Sequence, residues 1–244
     1  MNKPKAPSKN APLDQRPAGD LARGTSSSAD VDAFLNKVQS LGPAKSGSGR
    51  LIFAMDATMS RQPTWDMALS LQSEMFDAVK EVGGLDVQLI YFRGFGTCRS
   101  SRWVRDPDEL ARLMRQVHCE GGHTQIRKVL VHARKENASQ AVNALVYVGD
   151  CMEESVDDLC QLAGELGLVN VPVFVFQEGH DGRAERAFKE IARLSRGAYC
   201  RFDQGSSAQL RALLSAVAVY ASGGRKALES SKSGAATLLL EQLR

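Results

Sequence analysis

The stretch that most constrains the fold is residues 51–60, which read LIFAMDATMS. Its apolar half predicts a buried strand, and Asp56, Thr58 and Ser60 follow where that strand ends. In an open α/β sheet, ligands collect at the carboxyl ends of the strands. One carboxylate and two hydroxyls suit a hard cation such as Mg²⁺, Mn²⁺ or Ca²⁺, and they suit zinc poorly. Because the same residue types also form turns and helix N-caps, this segment alone leaves a metal site open.

Two later segments carry related chemistry. Residues 121–124, Gly-Gly-His-Thr, form a glycine-bearing loop that places Thr124 just before a helical pattern. Residues 144–149 predict a second buried strand, and Asp150 follows it. The succession Asp-x-Thr-x-Ser, Thr, Asp resembles the von Willebrand factor A (VWA) domain, whose metal-ion-dependent adhesion site (MIDAS) has the pattern Asp-x-Ser-x-Ser, Thr, Asp. Position 58 carries Thr where that family usually has Ser, which keeps the hydroxyl group.

The resemblance implies both a metal site and a function. The implied ligands, direct or through water, are Asp56, Thr58, Ser60, Thr124 and Asp150, around Mg²⁺ with Mn²⁺ or Ca²⁺ as alternatives. In the family, a carboxylate from a partner protein fills an open position on the ion. The resemblance therefore implies a non-enzymatic module that recognises an acidic residue of another protein. Intracellular VWA proteins of prokaryotes often serve as adaptors in AAA+ ATPase or stress-response assemblies, which makes that setting the expectation.

Two residues beside this pattern are candidates for partner contact. Arg61 comes directly after Ser60, and it is expected either to form a salt bridge beside the incoming carboxylate or to be solvated at a helix start. His123 comes directly before Thr124, and it is expected either to steer the partner and respond to pH or to be solvated.

Strand and helix patterns alternate along residues 51–221. Strands are expected at 51–56, 86–93, 98–104, 144–149, 171–176 and 198–202, and helices at 64–82, 107–118, 125–136, 155–167, 182–195 and 206–221. This alternation predicts an α/β fold with a doubly wound, mostly parallel six-stranded sheet and helices on both faces. The strand at 98–104 follows its predecessor without room for a crossover helix, so we expect it to be antiparallel at an edge. VWA domains have this arrangement, with strand order 3-2-1-4-5-6.

Four segments are expected along the chain. Residues 1–28 are rich in Pro, Ser, Ala, Gly and Lys and predict a disordered N-terminal arm. Residues 29–49 predict a short amphipathic helix and a linker, and 50–222 the VWA-like domain. Residues 223–244 predict a C-terminal extension with a short amphipathic helix, which either packs back onto the domain or docks a partner.

The cysteines and the net charge limit the cellular compartment and the class of partner that we expect. Five cysteines, an odd number without a Cys-x-x-Cys pair, are typical of reduced thiols in the cytosol. We interpret Cys119 and Cys151 as buried structural thiols. The sequence shows no secretory signal and no apolar run long enough to span a bilayer, so a cytoplasmic protein is the expectation. The net charge of +3 is too small for a dedicated polyanion binder.

Two other functions remain open. An aspartate at a strand end beside Mg²⁺ suits a phosphatase-like hydrolase, but the Asp-x-Asp pair of such enzymes has Thr58 in its second place, and a G-x-x-x-x-G-K-[ST] phosphate loop is absent. Residues 91–105 interleave arginines with aromatic residues, which suits stacking on single-stranded nucleic acid. The same residues also suit an edge strand, where aromatic rings pack and charges prevent aggregation.

Overall fold

The computed structural model describes residues 48–79, 84–202 and 206–243. The N-terminal arm predicted over 1–28 lies outside the described residues, as does the helix and linker predicted over 29–49 apart from its last two residues. Within the described ranges, no helix combines the length and apolar character needed to cross a membrane.

Six strands form one sheet around which the helices pack. They are β1 (Gly49–Asp56), β2 (Leu85–Arg93), β3 (Thr97–Val104), β4 (Ala144–Gly149), β5 (Val173–Glu178) and β6 (Tyr199–Phe202). Their order in the sheet is β3-β2-β1-β4-β5-β6, and every neighbouring pair is parallel except β2 and β3. The predicted fold class, strand order and antiparallel edge strand are therefore confirmed.

The helices cover both faces of the sheet. In the described ranges they are α1 (Gln62–Asp77), α2 (Pro107–Arg115), α3 (Ile126–Ser139), α4 (Val156–Leu168), α5 (Gly182–Leu194), α6 (Ser207–Ser230) and α7 (Gly234–Gln242), with a short 3₁₀ turn at Met59–Arg61. The apolar side chains of α1, α2, α6 and α7 pack on one face. Those of α3, α4 and α5 pack on the other. This is the doubly wound arrangement of a parallel sheet.

Strand β1 shows why the central strands are continuously apolar. Leu51, Phe53 and Met55 point into the core on one face, and Ile52 and Ala54 into the core on the other. Each of these residues is at most 1% exposed. A strand covered on both sides has no polar face, so its sequence loses the alternation of a half-exposed strand. The strand is buried along its whole length, which places its final aspartate next to the core.

Helix α6 continues beyond the predicted end at residue 221. Gly224 has φ of +68°, which bends the helix at a position that glycine occupies without steric cost. The following helix, α7, returns to the domain, and Ala236, Leu239 and Leu243 are buried in the same core cluster as α6. In the structure, the C-terminal segment is therefore packed against the domain.

Candidate metal centre

The carboxyl ends of β1 and β4 lie side by side in the middle of the sheet. Met55 pairs with Val148, so Asp56 at the end of β1 and Asp150 just after β4 share one edge of the sheet. Ligand atoms of Asp56, Asp150 and Cys151 all lie within 4.8 Å of one another. The two aspartates are therefore close enough to bind one ion together.

Asp56 is held in place while one of its oxygens remains without a partner. The residue is 1% exposed, and its Oδ1 accepts a hydrogen bond of 2.7 Å from the backbone N–H of Thr58. Its Oδ2 has no hydrogen-bond partner within the described part of the chain. Burial raises the pKa of Asp56 to about 6, because the charged form loses its hydration. A buried oxygen of this kind is costly unless a cation or a proton satisfies it.

Asp150 presents a second such oxygen. The Ser60 hydroxyl donates a hydrogen bond of 3.3 Å to Oδ2 of Asp150. Oδ1 of Asp150 is buried and has no hydrogen-bond partner among the described residues. Two unpartnered carboxylate oxygens thus belong to adjacent strand ends, which fits the ligand chemistry of a hard divalent cation.

Three hydroxyl-bearing side chains line one cleft. Thr58, Ser60 and Thr124 line a cleft of about 250 Å³, together with Gly121 and Gly122. The structure therefore brings the two predicted segments of hydroxyl residues together, although they are more than sixty positions apart in the sequence.

Thr124 is fixed by the loop that follows β4. Its backbone N–H donates a hydrogen bond of 2.9 Å to Oε2 of Glu153, and the Glu153 N–H donates one of 3.2 Å to the Thr124 hydroxyl. Glu154 accepts hydrogen bonds from the backbone N–H groups of Ile126 and Arg127 at the start of α3. These hydrogen bonds join the loop after β4 to the loop before α3. Burial raises the pKa of Glu154.

In the loop before Thr124, a close backbone contact requires glycine at position 122. A Cβ added to Gly122 would lie 2.1 Å from the carbonyl oxygen of Gly94, in the turn between β2 and β3. The same carbonyl accepts a hydrogen bond of 3.2 Å from the His123 N–H. By contrast, a Cβ added to Gly121 would meet no atom within 4 Å.

This contact predicts a large effect for one of two neighbouring substitutions and almost none for the other. We expect Gly122→Ala to lower the free energy of unfolding by about 1–3 kcal/mol, because the loop must shift away from Gly94. We expect Gly121→Ala to change it by less than about 0.5 kcal/mol, since the added methyl group faces open space. Urea unfolding followed by tryptophan fluorescence measures both. Equal stability of the two variants would contradict the close backbone packing.

Arg61 is buried and does not extend into solvent. It is 3% exposed, and its guanidinium forms an ion pair with Glu178 and lies 3.6 Å from Oδ2 of Asp150. The Thr64 hydroxyl also donates to Glu178. The solvated position expected as one alternative is therefore wrong, because the side chain turns inward to two carboxylates. In this position Arg61 is an internal counter-charge beside the aspartate cluster.

Glu178 was missed by sequence reasoning. The strand was expected at 171–176, whereas β5 runs to Glu178 and is buried along its whole length. Polar Gln177 and Glu178 directly after an apolar run resemble a loop in sequence. The one sequence signal that could have identified Glu178 is that it ends a core strand, as Asp56 does. Its partner Arg61 cannot be identified without the fold.

His123 lies at the surface beside the cleft. Its Nδ1 is 3.3 Å from Oε2 of Glu153, and its ring packs edge-on against Phe95 with 5.1 Å between ring centroids. This position agrees with either expectation for His123, contact with a partner or exposure to solvent.

Several arginine and aromatic residues of the segment 91–105 are held by packing and ion pairs. Phe92 is buried. The Trp103 ring lies under the Arg50 guanidinium, with 3.8 Å to the ring centroid. Arg102 pairs with Glu109, and Arg105 with Asp86. These contacts match the edge-strand interpretation of the arginine and aromatic residues.

The two cysteines interpreted as buried structural thiols are only half-buried. Cys151 lines the cleft together with the hydroxyl residues. Burial and the neighbouring Asp150 raise the pKa of the Cys151 thiol to about 12. The interpretation was wrong for Cys151 because the chain leaves the core at the end of β4, two residues before the cysteine.

No protein-family model matches the chain, and no curated protein matches it. Among solved structures, it is similar to a von Willebrand factor type A protein from Catenulispora acidiphila, with a TM-score of 0.59 and 14% identity over 72% of this chain and 43% of that one. It is also similar to the SpRpn10 VWA domain, with a TM-score of 0.52 and 12% identity over 72% of this chain and 97% of that one.

A third similar structure contains a metal. It is proximal thread matrix protein 1 from the mussel byssus with a zinc-occupied MIDAS motif, with a TM-score of 0.54 and 16% identity over 72% of this chain and 48% of that one. The chain thus spans less than half the length of the Catenulispora and mussel proteins. At these identities the likeness shows the fold alone.

Proposed function

We propose that this chain, whose fold is that of VWA domains, is a non-enzymatic module that binds an acidic residue of a partner protein through a divalent ion. The ion would be held by Asp56, Thr58, Ser60, Thr124 and Asp150, with Mg²⁺ as the first choice and Mn²⁺ or Ca²⁺ as alternatives, because these ligands are all oxygens. The observation that carries the proposal is the pair of carboxylate oxygens at adjacent strand ends that have no hydrogen-bond partner among the residues the structure describes.

The charges around the site support an acidic partner. Asp56 and Asp150 together balance the charge of one divalent ion, and Arg61 is paired with Glu178. Two carboxylates do not over-neutralise the ion, so an open coordination position can still accept an anionic oxygen, and charge-assisted bonds to such an oxygen are stronger than neutral ones. A carboxylate from another protein would complete the coordination.

Apolar side chains beside the cleft support a protein as the partner. Met59 lies between the two hydroxyl residues of the first segment and is 63% exposed, and Phe95 beside His123 is 83% exposed. Large apolar side chains exposed next to a polar site are typical of protein-binding surfaces. They would contact the residues that flank the partner's acidic side chain.

The proposed setting is the cytoplasm. All five cysteines are free thiols, which is typical of proteins in a reducing compartment. We include in the proposal an adaptor role in an AAA+ ATPase or stress-response assembly, which rests only on the resemblance to the VWA family.

Replacing Asp150 with Asn tests the ion site. We expect the affinity for Mg²⁺ and Mn²⁺ to fall at least about 100-fold, because removing a group that only orients a ligand already costs about 10–100-fold. Isothermal titration calorimetry measures both ions. The matched control is Asp157→Asn, which removes the same charge from an exposed position in the first turn of α4 and should leave the affinity unchanged.

Capture from the native cell then tests the partner. The tagged full chain is used as bait with Mg²⁺ or with EDTA, beside the Asp150→Asn and Asp157→Asn chains. A partner retained by the Asp157→Asn chain but lost both with EDTA and with Asp150→Asn would support the proposal. Equal capture with Mg²⁺ and with EDTA would refute the metal-dependent mechanism.

A further inference from the structure

The aspartate cluster contains a thiol that the oxygen-based site does not use. The sulfur of Cys151 and carboxylate oxygens of Asp56 and Asp150 all lie within 4.8 Å of one another. No other group of three His, Cys, Asp or Glu side chains among residues 48–79, 84–202 and 206–243 has such spacing. The arrangement therefore distinguishes Cys151 from the remaining cysteines.

The backbone around Cys151 is anchored on both sides. It lies one residue beyond Asp150, and β4 ends immediately before that aspartate. On the other side, Met152 is buried and Glu153 and Glu154 bind the loop before α3. The thiol is thus held at the cleft that Thr58, Ser60 and Thr124 also line.

The ligand chemistry of the three residues differs from that of the hydroxyl set. A thiolate is a soft ligand that zinc accepts readily and Mg²⁺ does not. Zinc sites with an open position have three protein ligands, drawn from Cys, His and carboxylates, and a fourth position for water or substrate. Asp56, Asp150 and Cys151 supply three such groups, and both aspartates have an unpartnered oxygen.

We propose that Cys151 is a zinc ligand and that, with Asp56 and Asp150, it gives this centre a zinc-binding mode beside the Mg²⁺ mode. The inference rests on the proposed ion site and adds a second class of ion to it. On binding, the sulfur–hydrogen bond is replaced by a sulfur–zinc bond, and the proton is released to solvent. The Mg²⁺ mode uses the oxygen ligands and leaves the thiol protonated.

Cobalt(II) absorption tests the sulfur ligand directly. We use the full chain and the substitutions Cys151→Ser and Cys119→Ser, where Cys119 is the matched control because it is also a half-buried cysteine but is outside the aspartate group. The wild-type and Cys119→Ser chains should show a near-ultraviolet thiolate-to-cobalt charge-transfer band. The Cys151→Ser chain should not show it.

Affinities measured by calorimetry complete the test. Cys151→Ser should weaken zinc binding at least about tenfold and leave Mg²⁺ binding unchanged. Cobalt that binds without the band, cobalt that does not bind, or a band that persists in Cys151→Ser would overturn the inference. If Mg²⁺ binds but the cobalt band is absent, the proposed function stands and the thiol ligand is refuted. If the band is present but neither Mg²⁺ nor Mn²⁺ binds, the thiol ligand stands and the oxygen-based ion site is refuted.

Discussion

Replacing Arg61 with Met is expected to lower the free energy of unfolding of the metal-free protein by about 3–5 kcal/mol. Arg61 and Glu178 are both buried, and Arg61 also lies 3.6 Å from Asp150. Without the guanidinium, the buried Glu178 carboxylate keeps only the Thr64 hydroxyl as a partner in the described part of the chain, and Asp150 loses the cation that lies 3.6 Å away. Urea unfolding in EDTA, with the slope compared between variants, measures the loss.

Loss of the arginine should cost more stability in a buried ion pair than in an exposed one. Arg193→Met removes the same charge from an exposed ion pair with Glu190 and should cost less than about 1 kcal/mol. The double substitution Arg61→Met/Glu178→Leu should recover most of the loss, since apolar side chains of similar volume replace a buried pair at little cost. A single Arg61→Met variant within 1 kcal/mol of wild type would contradict the burial of this pair.

The Asp56 carboxyl group should contribute a loss of stability to the metal-free protein as the pH rises from about 4 to about 7. The pKa of Asp56 is raised from 3.8 to about 6 in the folded chain, so over this range the folded chain binds more protons than the unfolded chain. Stability then falls with pH, and the contribution is fully present below 3.8 and lost above about 6. The difference corresponds to about 3 kcal/mol. Urea unfolding in EDTA at a series of pH values measures it.

Asp56→Asn isolates this contribution. The variant should lack the Asp56 part of the pH dependence and be more stable than wild type near pH 7 in EDTA, because no buried charge forms. The raised pKa of Glu154 acts in the same direction and remains in the variant. Asp157→Asn, an exposed aspartate, should keep the wild-type profile. Parallel profiles for wild type and Asp56→Asn would show that Asp56 is hydrated in the metal-free state.

The sheet could be predicted from the sequence because its determinants are local. Apolar runs mark strands covered on both faces, and the short connection between β2 and β3 permits only an antiparallel pair. The proximity of Asp56 and Asp150 followed from the resemblance and the strand order it implies. Their distance from each other in the chain carries no such information.

The parts of the site that escaped prediction depend on contacts across the fold. Arg61 and Glu178 become a pair because the turn after β1 faces the end of β5, and neither residue shows this in its own neighbourhood. Cys151 looked like an ordinary core thiol, since it comes directly after a buried strand and a single aspartate. Its proximity to Asp56 depends on the adjacency of β1 and β4.

The contact between Gly94 and Gly122 also joins the loop that carries Thr124 to the turn between β2 and β3. Phe95 is the next residue after Gly94, and Thr124 lies two residues after Gly122, so a displacement of the β2–β3 turn would have to be accommodated by the loop that carries Thr124. By thermodynamic reciprocity, a protein that tightens ion binding by pressing on Phe95 is itself bound more tightly, by the same factor, when the ion is present. A partner protein bound at the turn and an ion bound in the cleft would then be coupled through this backbone contact.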